Sequence, residues 1–79
     1  MDIAYVLHRR RYLESSLIID FLSRQHGRVA AVRRGALRKK SQMGGLLQPL
    51  IPLHVAFSGR SELLTLKDAE SDKRSPVLS

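Results

Sequence analysis

Ten of the fourteen Lys and Arg residues in this 79-residue chain lie between positions 9 and 40. Eight of them cluster as Arg9-Arg10-Arg11, Arg33-Arg34 and Arg38-Lys39-Lys40, with Arg24 and Arg28 between the first two runs. Six of the eight clustered residues are arginine, whose planar fork pairs with phosphate oxygens and stacks on bases. Only Glu14 and Asp20 oppose them over this stretch, which carries a net +8. Residues 41–79 sum to zero, and Asp2 brings the total to +7. A charge run is ordinarily a solvated face. Three arginines in succession, however, exceed what one face of an alternating strand can hold, so both faces, or a strand end, carry positive charge. A fold that gathers the three runs would present a field attractive to phosphates.

Aromatic residues set the limits of that interface. Tyr12, beside the arginine run, is the candidate stacking ring, although it fits a rim position on a packed domain equally well. Phe21 and Phe57 are expected in the core, as phenylalanines usually are. Binding should therefore rest on phosphates and read sequence weakly. The candidate nucleic-acid contacts are Arg9, Arg10, Arg11, Tyr12, Arg28, Arg33, Arg34, Arg38, Lys39 and Lys40.

Other chemistry finds little support. His8, His26 and His54 form no metal-ligand spacing with a nearby carboxylate or cysteine, and the chain has no cysteine. The serines fall at expected turns or strand ends, where turn chemistry accounts for them. Gly35 to Lys40 lacks the spacing of a phosphate-binding loop. We expect a binding module, not an enzyme, with no metal or cofactor.

The elements that must position the arginines follow from period-two alternation. Ile51, Leu53, Val55 and Phe57 alternate with Pro52, His54, Ala56 and Ser58. Leu17, Ile19 and Phe21 alternate with Ile18, Asp20 and Leu22. Five strands are expected near 3–12, 16–23, 28–34, 50–58 and 62–69. Gly27 and Gly59 mark hairpin turns, and Pro52 belongs at a strand start or edge. The long link from Gly35 to Gln48 allows at most one helical turn after Ser41, because Gly44-Gly45 disfavours more. The expected core is Leu17, Ile19, Phe21, Val29, Ile51, Leu53, Val55, Phe57, Leu64 and Leu66. Residues 1–70 read as one domain and 71–79 as a polar tail or linker.

This pattern suits an all-β, five-stranded Greek-key barrel of the oligonucleotide-binding type, and an SH3-like barrel nearly as well. No apolar run reaches the roughly 20 residues of a membrane span, and no signal-peptide pattern opens the chain. A cytoplasmic protein without a membrane partner is expected. Charge alone does not separate DNA from RNA. An RNA-binding or ribosome-associated barrel is thus the alternative, and a barrel docking an acidic protein partner the third reading.

The residues also resemble a family. Ala4-Tyr5-Val6-Leu7 followed by basic residues, Tyr12, Glu14 and Ser15-Ser16 is similar to the start of RecO-type recombination mediator proteins. So are Phe21 to Arg28, Val32 to Ala36, and Lys40-Ser41 followed by Gly45-Leu46-Leu47-Gln48-Pro49. The resemblance covers residues 2 to about 70. It implies an amino-terminal oligonucleotide-binding barrel from a bacterial repair protein that binds single- and double-stranded DNA and anneals complementary strands. It further implies partnership with RecR, the RecA recombinase and single-strand binding protein, with action at the nucleoid. Members of the family continue into a helical domain, often with a cysteine-based zinc site. This chain is therefore expected to be an isolated domain, and features of that further region are not carried over to it. Leu50 stands where the family often has Phe, removing one stacking ring, and Ser23 replaces a common Thr.

Overall fold

Leu17, Ile19 and Phe21 are buried on one face of a strand, β2 (Ser16–Ser23), that runs through the middle of a three-stranded meander. The computed structural model describes residues 2–49 and 51–71. β2 is flanked by β1 (Asp2–Tyr12) and β3 (Gly27–Arg33), both antiparallel to it. Gly27 takes φ +69° in the β2–β3 turn, a conformation glycine adopts without steric cost. A single helical turn, α1 (Met43–Leu46), precedes β4 (Leu53–Ser58) and β5 (Leu63–Ser71). The strands close into a barrel in the order β1-β2-β3-β5-β4. β4 returns to β1 through Asp2–Val55, Ile3–His54 and Ala4–Leu53, and β5 lies parallel to β3. The link between β3 and β4 makes that parallel pair possible, because parallel neighbours cannot be joined by a tight hairpin. This connectivity gives the oligonucleotide-binding barrel and sets aside the SH3-like alternative.

The alternation within β1 is broken once. Ala4 and Val6 pair with Ser23 and Phe21 on the inward face. The register then skips Leu7 and resumes with His8–Asp20, Arg9–Ile19, Arg10–Ile18 and Arg11–Leu17. One extra residue reverses the facing of everything after it. Even-numbered residues point inward before the bulge, and Arg9 and Arg11 take the inward row after it. Arg10 and Tyr12 are turned to the outer face with Ile18 and Ser16. The arginine run does cover both faces of a strand, and this bulge decides that Arg9 and Arg11, not Arg10, take the inward row.

A second irregularity lies in β5. Ala56 pairs with Asp68 and Phe57 with Leu66, so the pairing passes over Lys67.

The core is drawn from every strand. Six of the ten expected residues are fully buried: Leu17, Ile19, Phe21, Leu53, Val55 and Leu66. Val29, Ile51, Phe57 and Leu64 are instead half-buried and packed against it. Ala4, Val6, Ala31 and Ala69 complete the inward rows. The β3–β4 link contributes Ala36 and Leu47, both buried, so part of this polar-looking segment is core. Met43 donates its backbone N–H to Ser41 Oγ at 3.1 Å, which places the serine before the turn as expected.

Two expected boundaries shift by more than one residue. β4 starts at Leu53, with Ile51 and Pro52 leading into it, and β5 extends to Ser71. Proline has no N–H to give a ladder, so the strand begins after it. Of the tail expected over residues 71–79, Ser71 instead ends β5, and residues 72–79 lie outside the described residues, as does Leu50.

Candidate nucleic-acid interface

The first two arginine runs meet at one end of the meander, where β1 ends, β2 begins and β3 ends. Leu17 pairs with Arg11 on one side and with Arg33 on the other. Adjacent strands are spaced by ~4.8 Å, which puts the Arg11 and Arg33 backbones about 10 Å apart. On the outer face Ile18 is paired in the same way between Arg10 and Val32. It is buried there, under neighbours whose aliphatic stems can cover it. The β3–β4 link folds back over this end and is tied to the β1–β2 turn by Leu37 N–H donating to Ser15 O at 2.9 Å. That tie brings Arg34 and Arg38 to one groove with Leu13 and Glu14, of about 360 Å³. Lys39 and Lys40 are exposed in the same link.

Not every arginine in the patch is free. Arg9 is half-buried, and its Nη1 donates to Gly44 O at 2.5 Å and to Leu47 O at 3.2 Å. It thereby ties α1 and the residue after it to β1, and satisfies carbonyls that a one-turn helix leaves open. Arg33 Nη1 donates to Leu66 O at 3.1 Å and Lys67 O at 2.9 Å, at the β5 bulge. The parallel ladder between β3 and β5 runs through Val32–Thr65. The Arg33 side chain takes over from it where the strand ends. Both residues raise the local potential, but their first role is to join elements.

Arg28 does not belong to the cluster. It pairs with Leu22 at the other end of β3, five residues from Arg33 and so about 17 Å along the strand. Arg10, Arg11, Arg34, Arg38, Lys39 and Lys40 remain as the exposed cations of the cluster. Tyr12, 40% exposed, borders them on the outer face. Lys67 joins Arg33 and Arg34 in lining a smaller cleft. It was not among the sequence candidates because its half of the chain is neutral, and only the β3–β5 pairing brings it here.

The opposite pole holds a polar cluster that the sequence does not announce. Asp2 is buried, and its carboxylate accepts hydrogen bonds from Ser23 Oγ, from Ile3 N–H at 2.8 Å and from Gln25 N–H at 3.2 Å. His26 Nδ1 lies 3.4 Å from the same carboxylate. Burial raises the Asp2 pKa, but the bonds from Ser23, Gln25, His26 and Ile3 together outweigh it and hold the carboxyl below its ordinary value. Serine, histidine and aspartate are the residues of a nucleophilic site. Here the Ser23 hydroxyl donates its hydrogen bond to the Asp2 carboxylate, is itself buried, and accepts the His26 backbone N–H at 2.9 Å. The arrangement clamps the start of β1 to the β2–β3 turn. Among the described residues no group of His, Asp and Glu could hold a metal, and no helix is long and apolar enough to cross a membrane.

Fold and site together define a small oligonucleotide-binding barrel with one strongly cationic end. The chain belongs to the family described as Recombination protein O N terminal, whose model matches residues 1–73. It is 57% identical over 67 residues to a "DNA repair protein RecO" of Polaromonas naphthalenivorans, covering 85% of this chain and 27% of that protein. A protein of the same name from Erwinia tasmaniensis is 51% identical over 67 residues, again 85% of this chain and 27% of the relative. One from Methylococcus capsulatus is 44% identical over 71 residues, 90% of this chain and 29% of the relative. The chain thus spans a little over a quarter of the length of these relatives.

Proposed function

We propose that this barrel is the DNA-gripping module of a recombination mediator in DNA repair, holding single and double strands by their phosphates with little regard to sequence. The observation that carries the reading is the convergence of Arg10, Arg11, Arg34 and Arg38 from β1 and the β3–β4 link onto one end of the barrel. No bond is made or broken. Cations facing two backbones at once lower their mutual repulsion and so favour annealing. In a longer protein of the family the same surface would hold DNA while recombinase is loaded, with RecR, RecA and single-strand binding protein as partners and the nucleoid as the place of action. The names of the relatives favour DNA over RNA as the ligand.

The test is a salt titration of binding to single-stranded DNA, duplex DNA and RNA of matched length. Four to six phosphate contacts give a slope of log affinity against log salt of roughly −3 to −4 on single strands. Tighter binding to RNA than to both DNA forms would move the reading to an RNA-binding barrel. A flat salt dependence would remove the phosphate interface.

A further inference from the structure

Leu13 stands at the tip of the β1–β2 turn and is 74% exposed, against 38–49% for the other exposed large apolar side chains among the described residues. It is also the one non-glycine residue among them with positive φ, at 55°. A branched, bulky side chain is disfavoured in that left-handed region, where Gly, Asn or Asp would sit more easily. Leu13 is absent from the core cluster, so burial does not compensate for the strain. Backbone geometry and packing both argue against leucine here, and an exposed strained residue points to a role in binding.

Its surroundings narrow the ligand. Leu13 walls the groove that Arg34 and Arg38 line, with Glu14 as the one acidic residue there. Tyr12 and Arg11 precede it directly in the chain. The Leu37–Ser15 hydrogen bond holds the turn against the link, so the tip stands on an anchored support. An apolar point among guanidinium groups fits a polyanion that also carries flat apolar faces. Nucleic acid with an unstacked base is such a ligand, and leucine is among the side chains that insert at opened base steps. The β1–β2 loop is one of the two loops that barrels of this type use for oligonucleotides.

We propose that Leu13 is a wedge that packs against an unstacked base at a strand end or a single-strand/double-strand junction, while Arg34 and Arg38 hold the flanking phosphates. This rests on the DNA-binding reading above and adds a preferred DNA structure to it.

The experiment uses the 79-residue chain with Leu13→Asn and Leu13→Gly, both of which relieve the positive φ and should raise the unfolding temperature. DNA carrying 2-aminopurine at a junction, and a matched probe with it inside the duplex, report base unstacking by fluorescence. The wild-type chain is expected to brighten the junction probe and to leave the internal one unchanged. Each variant should lose that brightening and roughly fivefold in junction affinity, with the salt slope kept because the phosphate contacts remain. Variants that brighten and bind the junction as the wild type does would overturn the wedge. Wild-type binding with a normal salt slope and no brightening would overturn the wedge alone, whereas no binding to any nucleic acid would overturn the DNA reading with it. A third arm uses vesicles of anionic phospholipid. Loss of vesicle binding in the variants, with junction binding intact, would make Leu13 a membrane contact and refute the proposal.

Discussion

Arg11 and Arg33 sit on either side of Leu17 in a single row across three strands, yet they do different work. Arg33 is tied to the Leu66 and Lys67 carbonyls of β5, whereas Arg11 is exposed at the end of β1. Proximity in the sheet does not make the two equivalent.

Substitution should separate them. Arg33→Ala is expected to destabilise the barrel by about 1–2 kcal/mol, because it leaves the β5 carbonyls without a charged donor. Arg11→Ala should leave the unfolding midpoint near the wild-type value and weaken DNA binding. Chemical denaturation and a binding titration on the same two variants decide this. Equal loss of stability in both would mean that Arg11 also holds the fold together.

The link residues give a second expectation. Replacing Arg38, Lys39 and Lys40 together by Ala should flatten the salt slope on single strands by up to ~2, at about 0.7 per contact. The affinity lost should be similar for all base sequences. Arg28→Ala and Arg60→Ala should each change the slope less, since Arg28 sits at the far end of β3 and Arg60 lines a cleft with Asp2 and His26 at the opposite pole. An unchanged slope in the triple variant would show the run to be solvated only.

Acid should loosen the opposite pole. The folded-state pKa of Asp2 is held down, so its contribution is complete above the unfolded value of about 3.9 and is lost as pH falls through the folded value. Urea unfolding at pH 7 and pH 3 should show a steeper acid loss for the wild type than for Asp2→Asn. The variant should also be less stable at pH 7, where the clamp is fully formed in the wild type. The same acid loss in both would assign that limb to other carboxylates.

Gly27→Ala offers a control on backbone strain. A Cβ at Gly27 would meet nothing within 4 Å, but φ +69° is unfavourable for alanine. A loss of about 1 kcal/mol is expected, measured by thermal unfolding, with DNA binding unchanged.

Strand count, turns and much of the core were legible because period-two alternation records which residues face inward. Leu17, Ile19 and Phe21 follow it without interruption, and so do Leu53 and Val55. The bulge at Leu7 was not legible. The sequence from Ala4 to Arg11 alternates plausibly in either facing, and only the pairing with β2 shows where one residue is skipped. For the same reason the split of Arg9, Arg10 and Arg11 between two faces could be anticipated, but not which residue would be tied down. Lys67 escaped notice because a parallel partner far away in the chain leaves no local pattern. The Asp2 clamp is carried by Asp2, Ser23, Gln25 and His26, each of which reads alone as an ordinary terminus or turn residue.

The barrel closes through partners far apart in the chain: Asp2 with Val55, and Ala30 with Leu63. During synthesis the β1–β2–β3 meander leaves the ribosome first, with the inward faces of Ile19 and Phe21 still uncovered. Neither open edge of that meander has a partner until β4 and β5 follow. Contacts of such long span slow folding and lengthen the time an unfinished chain can pair with another. The nascent module therefore passes through a sticky interval that ends only when its last strand emerges.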